Sequence, residues 1–147
     1  MKVITYDGVI DLTNYNEYLS SIRTALPPGA LKFASDENHY NFYSCYCIHD
    51  LKFGSLIINE SDKLNVTLML KGNTLKHEKD LVLQYNVCSS LSISFERGFL
   101  GNKLSDVVID EISTESDTAN VVHEIKFVNG TLLVSCGDLE AIWKNLD

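Results

Sequence analysis

LNVTLMLKGNTLKHEKDLVLQYNVCSSLSISFE, residues 64–96, decides the fold class. Leu64, Val66, Leu68 and Leu70 alternate with Asn65, Thr67, Met69 and Lys71. Leu81, Leu83, Tyr85 and Val87 form a second alternating set, and Leu91, Ile93 and Phe95 a third, interleaved with Ser92, Ser94 and Glu96. A period of two marks a strand with one buried face, because successive side chains point to opposite sides of the pleat. Turn chemistry at Asn59-Glu60-Ser61-Asp62, at Lys71-Gly72-Asn73, and then at Gly98 and Gly101 separates and bounds three strands.

Downstream, residues 106–112, 121–128 and 131–136 predict three more strands, with Asn129-Gly130 as a hairpin signal between the last two. Two continuations are open after that. Asp138 caps a short terminal helix carrying Ile142 and Trp143, or 138–142 extends the strand. Upstream, residues 2–12 read as extended, with a tight turn at Asp7-Gly8. A helix follows. Asn14 with Glu17 has the spacing of a capping box, and Tyr15, Tyr18, Leu19, Ile22 and Leu26 share one apolar face. Pro27-Pro28 stops it. Residues 29–37 predict a second short helix with Leu31 and Phe33 or Ala34 turned inward.

Helices first and strands afterwards, with no regular alternation, exclude a parallel α/β sheet. The expected architecture is α+β: N-terminal helices packed on a six- to eight-stranded, curled, mainly antiparallel meander. Residues 1–147 read as a single domain, since no linker, repeat or low-complexity segment divides them. Apolar residues at 45% against 22% charged place the chain among globular rather than disordered sequences. A chain of this size buries roughly 68–70% of its unfolded surface, enough for a core without disulfides or metal. Cys45, Cys47, Cys88 and Cys136 therefore read as free thiols, mostly buried. Lys2 leads directly into Val3-Ile4-Thr5-Tyr6-Asp7 with no apolar signal region, and no run reaches the 18 apolar residues of a membrane span. The expected location is the cytoplasm.

Charge is the main functional signal. Of a formal −8, residues 104–147 carry a net −7. Asp106, Asp110, Glu111, Glu115, Asp117 and Glu124 follow one another with no Lys or Arg between 104 and 125. A one-signed surface attracts basic proteins and repels nucleic acid. Acids on the wet face of strands, guarding against edge aggregation, are the structural alternative.

Catalytic patterns are weak. HYNFYSCYCIHD at 39–50 gathers His39, Cys45, Cys47, His49 and Asp50. As a strand, it would spread Cys45, Cys47 and His49 over roughly 13 Å at ~3.3 Å per residue, too far for one zinc with bonds of ~2.0–2.3 Å. No sequence feature activates a particular thiol for Cys–His catalysis. The carboxylates of Asp106, Asp110 and Glu111 define no glycosidase pair without a cleft. GFLGNK, with Gly98 and Gly101, lacks the Lys-Ser/Thr ending of a phosphate loop. Tyr40, Phe42, Tyr43 and Tyr46 form an aromatic cluster, but no Lys or Arg lies between Lys32 and Lys52 to make a nucleic-acid groove.

Tyr15–Leu19, Leu26-Pro27 and His49-Asp50-Leu51 resemble a pattern in small uncharacterised bacterial domains. Asp110-Glu111-Ile112, His123-Glu124-Ile125-Lys126-Phe127, Gly130 and Asp138-Leu139 resemble the C-terminal half of the same pattern. Proteins of this size and character are similar to immunity proteins of bacterial polymorphic-toxin and contact-dependent inhibition systems. The resemblance implies a cytosolic, non-enzymatic inhibitor that neutralises a basic toxin domain, often a nuclease, by binding it. It assigns no site residue. The charge pattern places partner binding at Asp106, Asp110, Glu111, Glu115, Asp117 and Glu124. No catalytic residue, cofactor, metal, nucleic acid, membrane or small-molecule substrate is expected. The alternatives are a ligand-binding domain or enzyme with a His/Cys pocket around 39–49, and a homodimer formed through an exposed strand edge.

Overall fold

The alternating run does not break at Val87. In the computed structural model, which describes residues 1–96 and 103–146, Lys79–Phe95 is one 17-residue strand. It bends at Val87, whose φ is +56°, where the register with its neighbour shifts between Cys88 and Ser90. The sequence pattern predicts two strands there. A bulge replaces the break, because it re-aims a strand without ending its pairing. Gly98 and Gly101 lie outside the described residues.

Chain order is β1 (Thr5–Tyr6), β2 (Ile10–Asp11), α1 (Thr13–Ile22), α2 (Pro28–Ala34), β3 (Lys52–Glu60), β4 (Leu64–Lys71), β5 (Lys79–Phe95), β6 (Val107–Thr114), β7 (Val121–Phe127) and β8 (Gly130–Asn145). The fold is α+β. β1 and β2 form a two-stranded ribbon, and the remaining six form one antiparallel sheet in the order β3-β4-β5-β8-β7-β6. It is not a single meander. Two meanders, β3-β4-β5 and β6-β7-β8, meet along the long pair β5–β8. The sheet is not closed into a barrel. Its two outer strands nevertheless meet at one place, where Lys52 bridges Asp106. There Asp50 N–H donates to the Val107 carbonyl at 3.0 Å, and Val107 N–H to that of Leu51 at 2.7 Å.

The β7–β8 hairpin forms where Asn129-Gly130 predicts one, with a different division of labour. Phe127 pairs with Gly130, so Val128 and Asn129 make the turn. Gly130 serves a close approach instead: a Cβ there would lie 2.3 Å from the Ser94 carbonyl oxygen. Residues 138–145 continue β8, which settles the open end as strand. Asp138 does cap a helix, but a distant one. Its carboxylate accepts the Gly29 and Ala30 N–H groups of α2 at 3.1 and 2.9 Å. Gly29 permits this docking, since a Cβ would overlap the Leu139 carbonyl at 2.0 Å. Helix α1 starts at Thr13, with no side-chain cap from Asn14 or Glu17. The Asp11 carboxylate accepts the Thr13 N–H at 2.9 Å in their place.

The one-sided alternation of Val66, Leu68 and Leu70 on β4 gives way on β6 to burial on both faces, from Val107 through Ser113. Asp110 lies opposite Ile125 and Ile112 opposite His123, on the side of the main core. Ile109 and Glu111 point the other way, under a second cluster built by Ile4 and Tyr15. The N-terminal segment is thus a lid on a face that the sequence pattern assigns to solvent.

Candidate binding site

Folding consumes most of the acidic stretch. Asp110 is fully buried, and Glu111 nearly so; their assignment to a docking surface is corrected by this burial. Glu111 accepts the backbone N–H groups of Lys2, Val3 and Ile4 at 2.7, 2.9 and 2.7 Å. Its carboxylate holds the N-terminal segment on the sheet. Glu124 pairs with the Met1 ammonium group at 2.7 Å. Glu115 organises the β6–β7 connection, accepting from Thr118 Oγ1 at 2.6 Å and Ser135 Oγ at 2.7 Å. These bonds hold its carboxyl below the ordinary range. Asp106 and Asp117 remain without a side-chain partner among the described residues. They flank opposite ends of β6, an eight-residue strand, or about 27 Å at ~3.4 Å per residue. The six acids therefore do not form one patch.

Asp110 centres a buried charge network. Its Oδ2 lies 2.8 Å from His39 Nε2 and 2.8 Å from His123 Nε2. His39 Nδ1 is 2.8 Å from the Phe33 carbonyl oxygen, which can only accept. Both ring nitrogens of His39 face acceptors, so both carry a proton, and His39 is an imidazolium paired with a carboxylate. Burial opposes that charge, but the Asp110 charge and hydrogen bond and the Phe33 carbonyl outweigh it, and the pKa of His39 is raised. Burial likewise opposes ionisation of Asp110. The His39 charge and the two histidine hydrogen bonds prevail, and its carboxyl is held well below the usual range. The imidazolium lies between rings: Tyr40 stacks on it with centroids 4.1 Å apart, and Phe33 is also at 4.1 Å, a favourable setting for a cation. On the other arm, the Tyr85 hydroxyl and His123 Nδ1 are hydrogen-bonded at 2.8 Å, and His123 Nε2–H donates to Asp110. His39, Asp110 and His123 have fully enclosed side chains. Through the Phe33 carbonyl and the Asp110 carboxylate, His39 ties the end of α2 to β6.

The 39–50 segment is a series of turns rather than a strand. Cys45, Cys47 and His49 therefore share no strand face, and His39 and His49 lie in different surroundings. Among the described residues, no three His, Cys, Asp or Glu side chains converge as metal ligands. All four cysteines are free. Burial raises the Cys47, Cys88 and Cys136 thiols, the last to about 12.

What the fold does build is a cleft at the seam where β3 meets β6. It encloses about 460 Å³ and is walled by Tyr6, Ile10, Phe42, Val108 and Val128, with His49, Asp50 and Asp106 as its polar groups. Two non-glycine residues with left-handed backbones flank it, Asp50 at φ +71° and Ser105 at φ +68°. Residues held in such conformations concentrate at functional sites. His49 Nδ1–H donates to the Val108 carbonyl at 2.6 Å, which leaves Nε2 3.4 Å from Asp50 Oδ1. Lys76 Nζ sits 3.2 Å from Asp50 Oδ2 and donates to the His49 carbonyl at 3.2 Å. Asp50 is thereby neutralised within the chain. Asp106 is the carboxylate left over, beside aromatic and aliphatic walls. The chain's own Lys126 Nζ already lies over the Tyr6 ring, 6.0 Å from its centroid, and a further cationic side chain fits the remaining chemistry, with its charge at Asp106 and its stem on Phe42.

Of this site, the sequence names Asp106 through charge, and His49-Asp50 both as candidate ligands in 39–50 and through the resemblance. The positive φ at Asp50 leaves no signal in the residues, and only the β3–β6 contact brings positions 50 and 106 together. Neither protein-family models nor curated proteins match the chain.

Proposed function

We propose that the protein is a binding protein of the immunity type, which neutralises a basic toxin domain by docking it at the β3–β6 seam. The observation that carries this is Asp106, a carboxylate without a side-chain partner among the described residues that lines an aromatic-walled cleft. The chain's net −8 would steer a basic partner towards it, and one lysine or arginine of that partner would enter the cleft. A buried, well-packed cation of this kind is the sort of anchor that dominates an interface. On this reading the recognition surface is narrower than the acidic stretch, and Asp110, Glu111 and Glu124 act only by holding the fold.

The test is binding of the toxic domain encoded beside this chain, measured by calorimetry with the intact protein and with Asp106→Lys and Asp117→Lys. Asp106→Lys should weaken binding at least about a hundredfold, the effect of an interface hot spot of ~3 kcal/mol. Asp117→Lys should change mainly the association rate. Equal affinity for all three proteins overturns the seam as the docking site, and absence of any complex overturns the immunity reading.

A further inference from the structure

Beyond its bend, β5 outruns its neighbour. β4 pairs with it at residues 81–85, and past Val87 the stretch 88–95 pairs with β8 alone. Leu91 lies opposite Val134 and Ile93 opposite Leu132. Both partners are fully buried in the main core, and directly paired residues share a face. Leu91, Ile93 and Phe95 therefore point to the core side of the sheet. Yet Ile93 is 45% exposed and Phe95 59%, because β4 does not reach far enough to bring cover to this end.

Ile93 and Phe95 form one wall of a cleft of about 630 Å³, and Phe53, Leu104 and Ser105 form the other. The closure of β3 onto the segment before β6 fixes that second wall. The Phe53 N–H donates to the Ser105 carbonyl at 3.3 Å, and its ring packs edge-on against Phe127 with centroids 6.0 Å apart. Bare backbone at Gly130 lets the two walls approach, since a Cβ there would lie 2.6 Å from Leu104 Cδ2 and 2.9 Å from the Phe95 Cα. A preformed apolar cleft of this size suits a small molecule. The charges select which one. Lys52, Lys103 and Asp106 line the cleft. Lys52 stands directly opposite Asp106 across the bridge between the two edges, which leaves Lys103 as the surplus cation. Neither lysine belongs to an ion pair among the described residues. A net positive rim over apolar walls is matched by a single negative charge on an apolar body.

We propose that this cleft binds a small amphiphilic carboxylate, its charge held by Lys103 and Lys52 and its alkyl chain laid along Phe53, Ile93 and Phe95. The site shares only Asp106 with the cleft at the β3–β6 seam, and it is independent of the toxin-binding reading. A ligand of about ten heavy atoms should bind there with a dissociation constant of the order of 1 mM.

Amide chemical shifts of the full chain, titrated with octanoate and separately with 1-octanol, test it. Octanoate should give saturable shifts centred on residues 53, 93, 95 and 103–105, and 1-octanol, with the same chain and no charge, should bind at least about fivefold more weakly. Lys103→Glu should weaken octanoate at least about fivefold and leave 1-octanol within about twofold. Lys63→Glu makes the same charge change in the β3–β4 turn and should leave both within about twofold. Ile93→Asp should abolish both. Circular dichroism and urea midpoints establish that the variants fold. Absence of saturable shifts up to about 20 mM octanoate, well above such a constant, overturns the proposal. So do shifts centred elsewhere, equal affinity for the two ligands, or equal effects of Lys103→Glu and Lys63→Glu. Self-association that Ile93→Asp abolishes and octanoate leaves unchanged would assign the cleft to a second copy and overturn it as well.

Discussion

Replacing Asp110 by Asn should reverse the sign with which pH acts on the buried network. In the wild type, His39 binds its proton more tightly folded than unfolded, because the Asp110 charge and the Phe33 carbonyl outweigh burial. Its contribution is complete below its unfolded value of about 6.5 and fades as pH rises through the raised folded value. In Asp110→Asn the charge partner is gone. The ring then keeps only the proton on Nδ1, donating to Phe33, and Nε2 accepts from the carboxamide. The folded state now disfavours protonation, so stability falls as pH drops through about 6.5, by about 1.4 kcal/mol for each pH unit over which only the unfolded chain holds the proton. Asp110 and His39 are both fully enclosed, so removing one partner at pH 5 should cost about 3–5 kcal/mol, the loss of a buried ion pair together with release of the His39 proton on folding. Near pH 9 the difference should shrink to about 1–2 kcal/mol, that of exchanged neutral hydrogen bonds. Urea unfolding followed by the single Trp143, at half-unit steps from pH 5 to 9, reads both curves. A wild-type-to-variant gap that is the same at pH 5 and pH 9 would refute the assignment of His39 as a buried cation.

Three further outcomes follow from the packing. Tyr15→Phe removes one hydroxyl that serves both backbone groups of Ile112; leaving that pair unsatisfied should cost about 2–5 kcal/mol in denaturant unfolding. Gly29→Ala drives a methyl into the Leu139 carbonyl and should cost at least about 1–3 kcal/mol, with amide exchange accelerating first in α2. Cys136, buried and raised to about 12, should resist a disulfide reagent at pH 8 in the native protein and react only on unfolding; prompt modification, read by peptide mass, would contradict its enclosure.

Legibility varied with how local the cause was. Alternation over 64–70 and 81–87 is enforced by neighbours along one strand; β4 lies where it predicts, while β5 begins there and runs on through the expected break after Val87. The helix of Tyr15, Tyr18, Leu19 and Ile22 forms on the expected face, and its tyrosines have a use beyond packing, capping β6. The acidic stretch misled because net charge does not say which carboxylates will be spent. Asp110 and Glu111 are adjacent and point to opposite faces, so a strand with one wet side should expose one of them. β6 has no wet side. Its second face is covered by residues 1–11, about a hundred positions away in the chain. Asp138 carries a helix-cap signal that is correct in kind and wrong in target, because the N–H groups it satisfies come from position 29 rather than from the residues that follow it.

By itself the sequence determined the fold class, the positions of β4, β6, β7 and the start of β8, the N-terminal helix and the β7–β8 hairpin, since periodicity and turn residues act within a few positions; β3 carried no such signal. Tertiary structure alone decided that β5 bends without breaking, that His39 is held as a cation, and that β6 is covered on both faces. It also decided which acids remain available. Hydrogen bonds and ion pairs to carboxylates are strong enough to remove four of the six from the free surface, and their donors are assembled only when distant segments meet.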